Sequence, residues 1–93
     1  MKIIWTRHAE ERQQEWQKKK GITRQEVEAV LTNPEQVVAG DLETRVAQSR
    51  VRHGLLRVPF VELEGARKVL TVYWTSKVAK YWREEPDANS IRS

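Results

Sequence analysis

The hydrophobic positions of this chain change their period once, close to Pro34. Before that point they are sparse and recur at helical spacing; after it they alternate as in strands. The first apolar run, Ile3-Ile4-Trp5, is short and β-prone, and reads as a strand or an extended entry segment. Thr6 to His8 can cap a helix reaching about Lys20. Glu10 and Glu11 fall in its first turn and Lys18, Lys19 and Lys20 in its last, which complements the helix dipole. Ala9 and Trp16 are nearly its only hydrophobic residues, so this helix is expected to be half-exposed. Gly21 stands where a left-handed C-cap would close it.

Thr23 and Glu26 form a T-x-x-E capping box, with Ile22 and Val27 placed as its hydrophobic staple. Val27, Val30 and Leu31 follow at helical spacing, and Asn33-Pro34 stops the helix because proline disfavours helical geometry in the preceding residue. Two helices joined through Gly21-Ile22 should make a helical hairpin. Residues 36–39, 44–52, 55–63 and 68–75 then read as strands, separated by turns at Gly40-Asp41, His53-Gly54 and Glu64-Gly65. Connections this short join antiparallel neighbours. Pro59 should mark an edge position or a bulge. Ser76 caps a short helix whose Val78, Tyr81 and Trp82 share an apolar face, and Pro86 ends it.

The expected fold is α+β: an N-terminal helical hairpin packed on a mainly antiparallel sheet of three to five strands, closed by a short C-terminal helix. A single domain is expected over residues 1–85, with a loose tail over 86–93.

Composition narrows the chemistry. A chain of 93 residues without cysteine has no disulfide framework and no thiolate zinc site. Its apolar runs are far too short for a membrane span, and the N-terminus lacks the apolar core of a signal peptide, so a cytoplasmic protein with no membrane partner is expected. The net charge of +4 is unevenly spread. Residues 44–83 carry nine Lys and Arg against two acids, whereas residues 21–43 carry one against five. A basic half beside an acidic segment fits a polyanion-binding face, or charge that merely solvates a small domain.

His8, Arg12 and Trp16 recur at i, i+4 and i+8 and share a helix face. They offer a cationic site with a proton-transfer group, or simply an Arg–Trp contact beside a capping histidine. His8 and His53 are the only histidines and lack metal-ligand spacing, so neither a metal nor another cofactor is expected. Arg50 and Arg52 flank Val51 and should point to one strand face, with Val51 and Ala47 turned to the core and Arg45 near the strand's start. With Arg57, Lys77, Lys80 and Arg83 they could form a cationic surface that includes Tyr73 and Tyr81. Arginine forks and aromatic rings together suit single-stranded RNA. No phosphate-binding glycine loop or nucleophile elbow occurs.

The order of these features resembles the RelE/ParE-like toxin superfamily, in particular a small bacterial family close to the BrnT toxins. The likeness rests on His8-Ala9-x-x-Arg12, Gly21-Ile22-Thr23-x-x-Glu26-Val27, Asn33-Pro34-Glu35, an arginine-bearing strand, and Val72-Tyr73-x-Thr75-Ser76-Lys77 running into Lys80-Tyr81. It spans most of the chain, from about Thr6 to Trp82. The resemblance implies the toxin of a toxin–antitoxin pair: a metal-independent endoribonuclease acting on mRNA, often at the ribosome, and neutralised by an antitoxin protein. In such enzymes the 2′-hydroxyl attacks the adjacent phosphate while basic residues stabilise charge and a donor protonates the 5′-oxygen. On this chain His8, Arg12, Arg50 and Tyr81 would be the catalytic candidates, and Arg45, Arg52, Arg57, Lys77 and Lys80 the RNA-binding ones. The alternative is a non-catalytic module of the same fold that binds a protein partner, or binds RNA without cutting it.

Overall fold

The computed structural model describes residues 1–84. The elements run β1 (Lys2–Trp5), α1 (Arg7–Lys20), α2 (Arg24–Thr32), β2 (Gln36–Ala39), β3 (Arg45–Val51), β4 (Gly54–Leu63), β5 (Ala66–Val69), β6 (Tyr73–Thr75) and α3 (Val78–Tyr81). The expected tail over 86–93, and the helix stop at Pro86, lie outside the described residues.

Local chemistry sets the helices. The Thr6 side chain caps α1 by accepting from the Ala9 N–H, and Gly21 closes it at φ 67° in the left-handed region. Thr23 and Glu26 form the reciprocal capping box of α2. The staple residues Ile22 and Val27 are both fully buried.

The sheet has six strands rather than three to five, in the order β1-β5-β4-β3-β2, with β6 also paired to β4. It is mixed. β1 lies parallel to β5, while β2, β3, β4, β5 and β6 pair antiparallel. The extra strand count has a local cause. The run expected as one strand over 68–75 is broken, because Leu70, Thr71 and Val72 face only Val58 and Pro59 between the pairs Phe60↔Val69 and Arg57↔Tyr73. One extra residue makes a bulge. The Pro59 carbonyl accepts from the Leu70 N–H at 2.9 Å, so the side on which Pro59 lacks its own N–H is the side where the partner strand breaks.

The helical hairpin covers one face of this sheet. Ala9, Ile22, Val27, Val30 and Leu31 from the hairpin pack against Ala47, Leu56, Val58, Phe60, Val69 and Val72 from the strands. Each fully buried large side chain here contributes roughly 1.5–3 kcal/mol. α1 gives little to this core, as its composition foretold: Ala9 and Gln13 are its buried residues.

One further expectation changes. α3 begins after Lys77 and receives no side-chain cap from Ser76; instead the Thr75 hydroxyl accepts from the Lys77 N–H at 3.1 Å. None of its residues is fully buried.

Candidate anion-binding cleft

The sheet face turned away from the hairpin carries a polar row. Strand alternation and register align Gln36 with Gln48, Gln48 with Arg57, and Arg57 with Tyr73, so four side chains cross β2, β3, β4 and β6 in line. They are joined by hydrogen bonds. Gln48 Nε2 donates to Gln36 Oε1 at 2.8 Å, Arg57 Nε donates to Gln48 Oε1 at 2.9 Å, and Arg57 Nη1 donates to the Tyr73 hydroxyl oxygen. The same row holds the end of α3. Gln48 Nε2 also donates to the Tyr81 carbonyl at 3.1 Å, and Gln36 bonds both backbone groups of Arg83.

Arg57 is the chemical centre of the row. It is only 8 % exposed. Its guanidinium lies 4.2 Å from the centre of the Tyr81 ring and 5.3 Å from that of Tyr73, and the two rings meet edge to face at 6.2 Å. Among the described residues no carboxylate lies within ion-pair distance of it. Removing a cation from water without a counter-ion costs several kcal/mol. Two side-chain hydrogen bonds and two aromatic faces, the latter about 2 kcal/mol when desolvated, offset part of that.

One end of the guanidinium remains available. Nη2 makes no hydrogen bond among the described residues, yet no buried side-chain nitrogen or oxygen there lacks a partner, so Nη2 reaches the surface. Arg57 lines a cleft of about 560 Å³ together with Val46, Pro59, Tyr73, Tyr81, Asp41 and Thr44. That volume is in the range of small-ligand sites. Burial pushes the Tyr73 phenol above its ordinary value of 10.0, against the opposing pull of Arg57. Tyr73 therefore stays protonated at neutral pH. Its oxygen accepts from Arg57 and its O–H is free to donate to an anion held on Nη2.

The residues expected from sequence are distributed over several places. Arg57 and Tyr81 meet in the cleft, and Lys80 borders them with its Nζ 5.2 Å from the Tyr81 ring. Lys77 is exposed just before α3, and Arg45 is exposed at the start of β3, where it shares a neighbouring recess with Arg83. Arg50 is on the cleft's face of the sheet but is engaged: it bonds Glu35 through backbone and side chain and stacks 4.6 Å from the Trp82 ring. The backbone and side-chain bonds from Arg50 hold the Glu35 carboxyl below its usual range.

Arg52 does not share a face with Arg50. It falls one residue beyond β3, at φ 51°, and with His53 at φ 62° forms the two-residue turn between β3 and β4. That left-handed conformation turns its side chain off the strand alternation and toward the helices. There it donates to both Glu26 carboxylate oxygens, at 2.5 and 3.0 Å, and to the Gly21 carbonyl at 3.1 Å.

His8 and Arg12 are exposed on α1, on the hairpin's side of the sheet, and Arg12 pairs with Glu15 at 2.9 Å. The sheet therefore stands between this pair and Arg50 and Tyr81. Trp16 turns inward: its Nε1 donates to the Val72 carbonyl at 3.1 Å, its ring meets Trp74, and the cation above it is Lys19 rather than Arg12. Sequence reasoning passed over Gln36 and Gln48. The available signal was a fully polar residue in mid-strand between Ala47 and Ser49, directly opposite Arg57 in the hairpin register.

Among the described residues no helix is long and apolar enough to cross a membrane, and no group of three or more His, Cys, Asp or Glu is placed to hold a metal. Comparison of the chain with protein-family models, curated proteins and solved structures finds no significant match.

Proposed function

We propose that this protein binds single-stranded RNA, with one backbone phosphate seated on Arg57 Nη2 and the Tyr73 hydroxyl. The observation that carries this reading is a buried arginine with no carboxylate partner among the described residues, opening into a cleft between two phenol rings. An anion arriving there supplies the missing counter-charge, gains charge-assisted hydrogen bonds and meets few competing partners. Lys80, its Nζ 5.2 Å from the centre of the half-buried Tyr81 ring, adds a second cation beside the cleft.

The toxin reading, a metal-independent endoribonuclease acting on mRNA and held in check by an antitoxin protein, attaches to this same cleft. Its specific support is that one guanidinium is shared by two phenols, which joins charge stabilisation to proton-carrying groups. In that reading Arg57 stabilises the phosphorane formed when the 2′-hydroxyl attacks, and Tyr81 and Tyr73 exchange the protons.

The test is fluorescence anisotropy with a short labelled RNA. Wild type should bind, with affinity falling steeply as salt rises, and Arg57→Lys should bind about 10- to 100-fold more weakly, the scale of one or two charge-assisted bonds. Tyr81→Leu, which keeps the buried cation, should weaken binding too. Melting curves confirm that each variant is folded. Unchanged binding in folded Arg57→Lys overturns the proposal. Cleavage that survives EDTA and leaves 2′,3′-cyclic phosphate ends supports the toxin reading; binding without cleavage, on free and ribosome-bound mRNA, supports the non-catalytic one.

A further inference from the structure

A second cationic surface lies elsewhere on the molecule, where the end of α1 meets the turn between β3 and β4. Lys18, Lys19 and Lys20 occupy the last turn of α1, all exposed. Arg52 reaches the same spot, because its Nη2 bonds the carbonyl of Gly21, the residue that closes α1. Trp74 completes the arrangement from β6, with Lys20 Nζ 4.1 Å above its ring. Lys19, Lys20 and Arg52 thus converge, with Lys18 on the neighbouring face of α1 beside Gln14 and Gln17, and Glu26, the acid bound among them, is already engaged by Arg52. The exposed His53 stands beside Arg52 at the turn. Among the described residues none of the three lysines enters an ion pair. The helix dipole favours lysines at the end of α1, but it does not account for their meeting a second element that brings another arginine.

The aromatic rings here are already occupied. Lys19 lies over Trp16 and Lys20 over Trp74, the two indoles tilt against each other, and both ring N–H groups donate to backbone carbonyls. Such a surface offers point charges and no free ring for stacking a base. It therefore suits a ligand whose bases are hidden and whose phosphates are outermost.

We infer that this cationic end is a docking surface for the phosphate backbone of double-helical RNA, separate from the cleft and indifferent to sequence. The choice of RNA as the polymer rests on the reading of the cleft; the phosphate chemistry of the patch does not. A protein with both would hold an unpaired stretch at Arg57 and an adjoining paired stretch at the lysines.

The experiment compares wild type, Arg57→Lys, and the triple variant Lys18→Gln/Lys19→Gln/Lys20→Gln. Glutamine retains helix propensity and avoids placing acids at the helix C-terminus. Each is titrated with a blunt RNA duplex, a DNA duplex of the same sequence, and a single-stranded RNA tetranucleotide. The triple variant should bind the RNA duplex at least about tenfold more weakly, and its log–log salt slope should fall by about two, one each for the phosphate pairings of Lys19 and Lys20. Arg57→Lys should bind the duplex as wild type does, and the tetranucleotide should show the reverse pattern. Duplex binding that is absent in wild type, or unchanged in the folded triple variant, overturns the inference. So does duplex binding weakened equally in Arg57→Lys, which would place the duplex in the cleft. Tighter binding of the DNA duplex, or of phosphatidylglycerol vesicles, overturns the assignment to RNA. A tetranucleotide that binds nowhere, with the duplex result intact, removes the cleft reading and leaves the phosphate-binding patch standing.

Discussion

Gly54 lies directly beneath the indole of Trp74: a Cβ built on it would sit 2.3 Å from Trp74 Cζ2 and 2.5 Å from the Thr75 carbonyl oxygen. Neither neighbour is free to move. The indole is fixed by its Nε1 donating to the Val51 carbonyl at 2.8 Å, and the Thr75 backbone belongs to β6.

Gly54→Ala is therefore expected to destabilise the fold by about 1–3 kcal/mol, the cost of forcing a methyl group into a packed site. At this chain length each kcal/mol lowers Tm by roughly 4–8 °C. The left-handed strain of the turn lies on its neighbour instead. His53, at φ 62°, should tolerate glycine, and His53→Gly should be neutral or stabilising by up to about 1 kcal/mol. Thermal melts of the two variants check both signs, and the reverse order would show that the turn, not the indole, needs the glycine.

The sequence placed a turn at His53-Gly54 without distinguishing which residue bends and which packs, because the neighbouring Trp74 comes from a strand about twenty residues further on. The same division runs through the whole fold. The capping box of α2, the C-cap at Gly21 and the stop at Pro34 are local chemistry, and each was legible residue by residue. Pro59 pointed to an edge position or a bulge in its own strand; β4 is instead central and unbroken, and the extra residue falls in its partner, which is split into β5 and β6. The parallel pairing of β1 with β5 joins segments some sixty residues apart and leaves no short-range signal. Within the cleft, Arg57 and Tyr81 were visible as candidates, while Gln48 looked like any solvated strand residue until its partners were placed around it. Arg50 and Arg52 look equivalent in the chain. Their acidic partners, Glu35 and Glu26, lie on segments that only the folded topology sends to opposite sides of the sheet.

Arg52 binds Glu26 while Glu26 is serving in the capping box of α2, so one carboxylate ties the helical hairpin to the β3–β4 turn. The hydrogen bonds from Arg52, chiefly, hold the Glu26 carboxyl below its usual value of 4.5. A depressed folded-state value means stability that is present above about pH 4.5 and lost as pH falls through the lower folded value. Arg52→Gln should leave the capping box formed, lower stability at neutral pH, and flatten the acid side of the stability–pH curve. Urea unfolding from about pH 7 down to about pH 3 measures this. An acid limb unchanged in Arg52→Gln would show that the pair contributes nothing to the pH dependence.

Tyr73 should titrate above the ordinary phenol value of 10.0, because burial disfavours its phenolate more strongly than Arg57 favours it. The chain has only two tyrosines, so subtracting the absorbance titration of Tyr73→Phe from that of wild type isolates the group. With the folded value raised, stability is fully present below pH 10.0 and declines as pH rises from 10.0 through the folded value. A Tyr73 transition below 10.0 would mean that Arg57 dominates the phenol, and Tyr73 would then be a candidate base rather than a hydrogen-bond donor.

The separation of His8 and Arg12 from Tyr81 by the sheet yields the sharpest functional expectation. Histidine is the side-chain type best suited to proton transfer near neutral pH, which makes His8 the natural first candidate. It stands exposed at the start of α1, and the cation one turn away is engaged by Glu15. Neither can reach a phosphate on Arg57, because the ligand would have to touch both faces of one sheet. His8→Ala and Arg12→Ala should therefore bind short RNA within about twofold of wild type, whereas Arg57→Lys should lose about tenfold or more. If RNA cleavage is observed, its rate should follow the same division. A folded His8→Ala variant that loses about 10²-fold in cleavage, the scale of a missing general acid or base, while keeping its affinity would put the chemistry on the helical face. Arg57 would then be an anchor for the strand and not part of the reacting site.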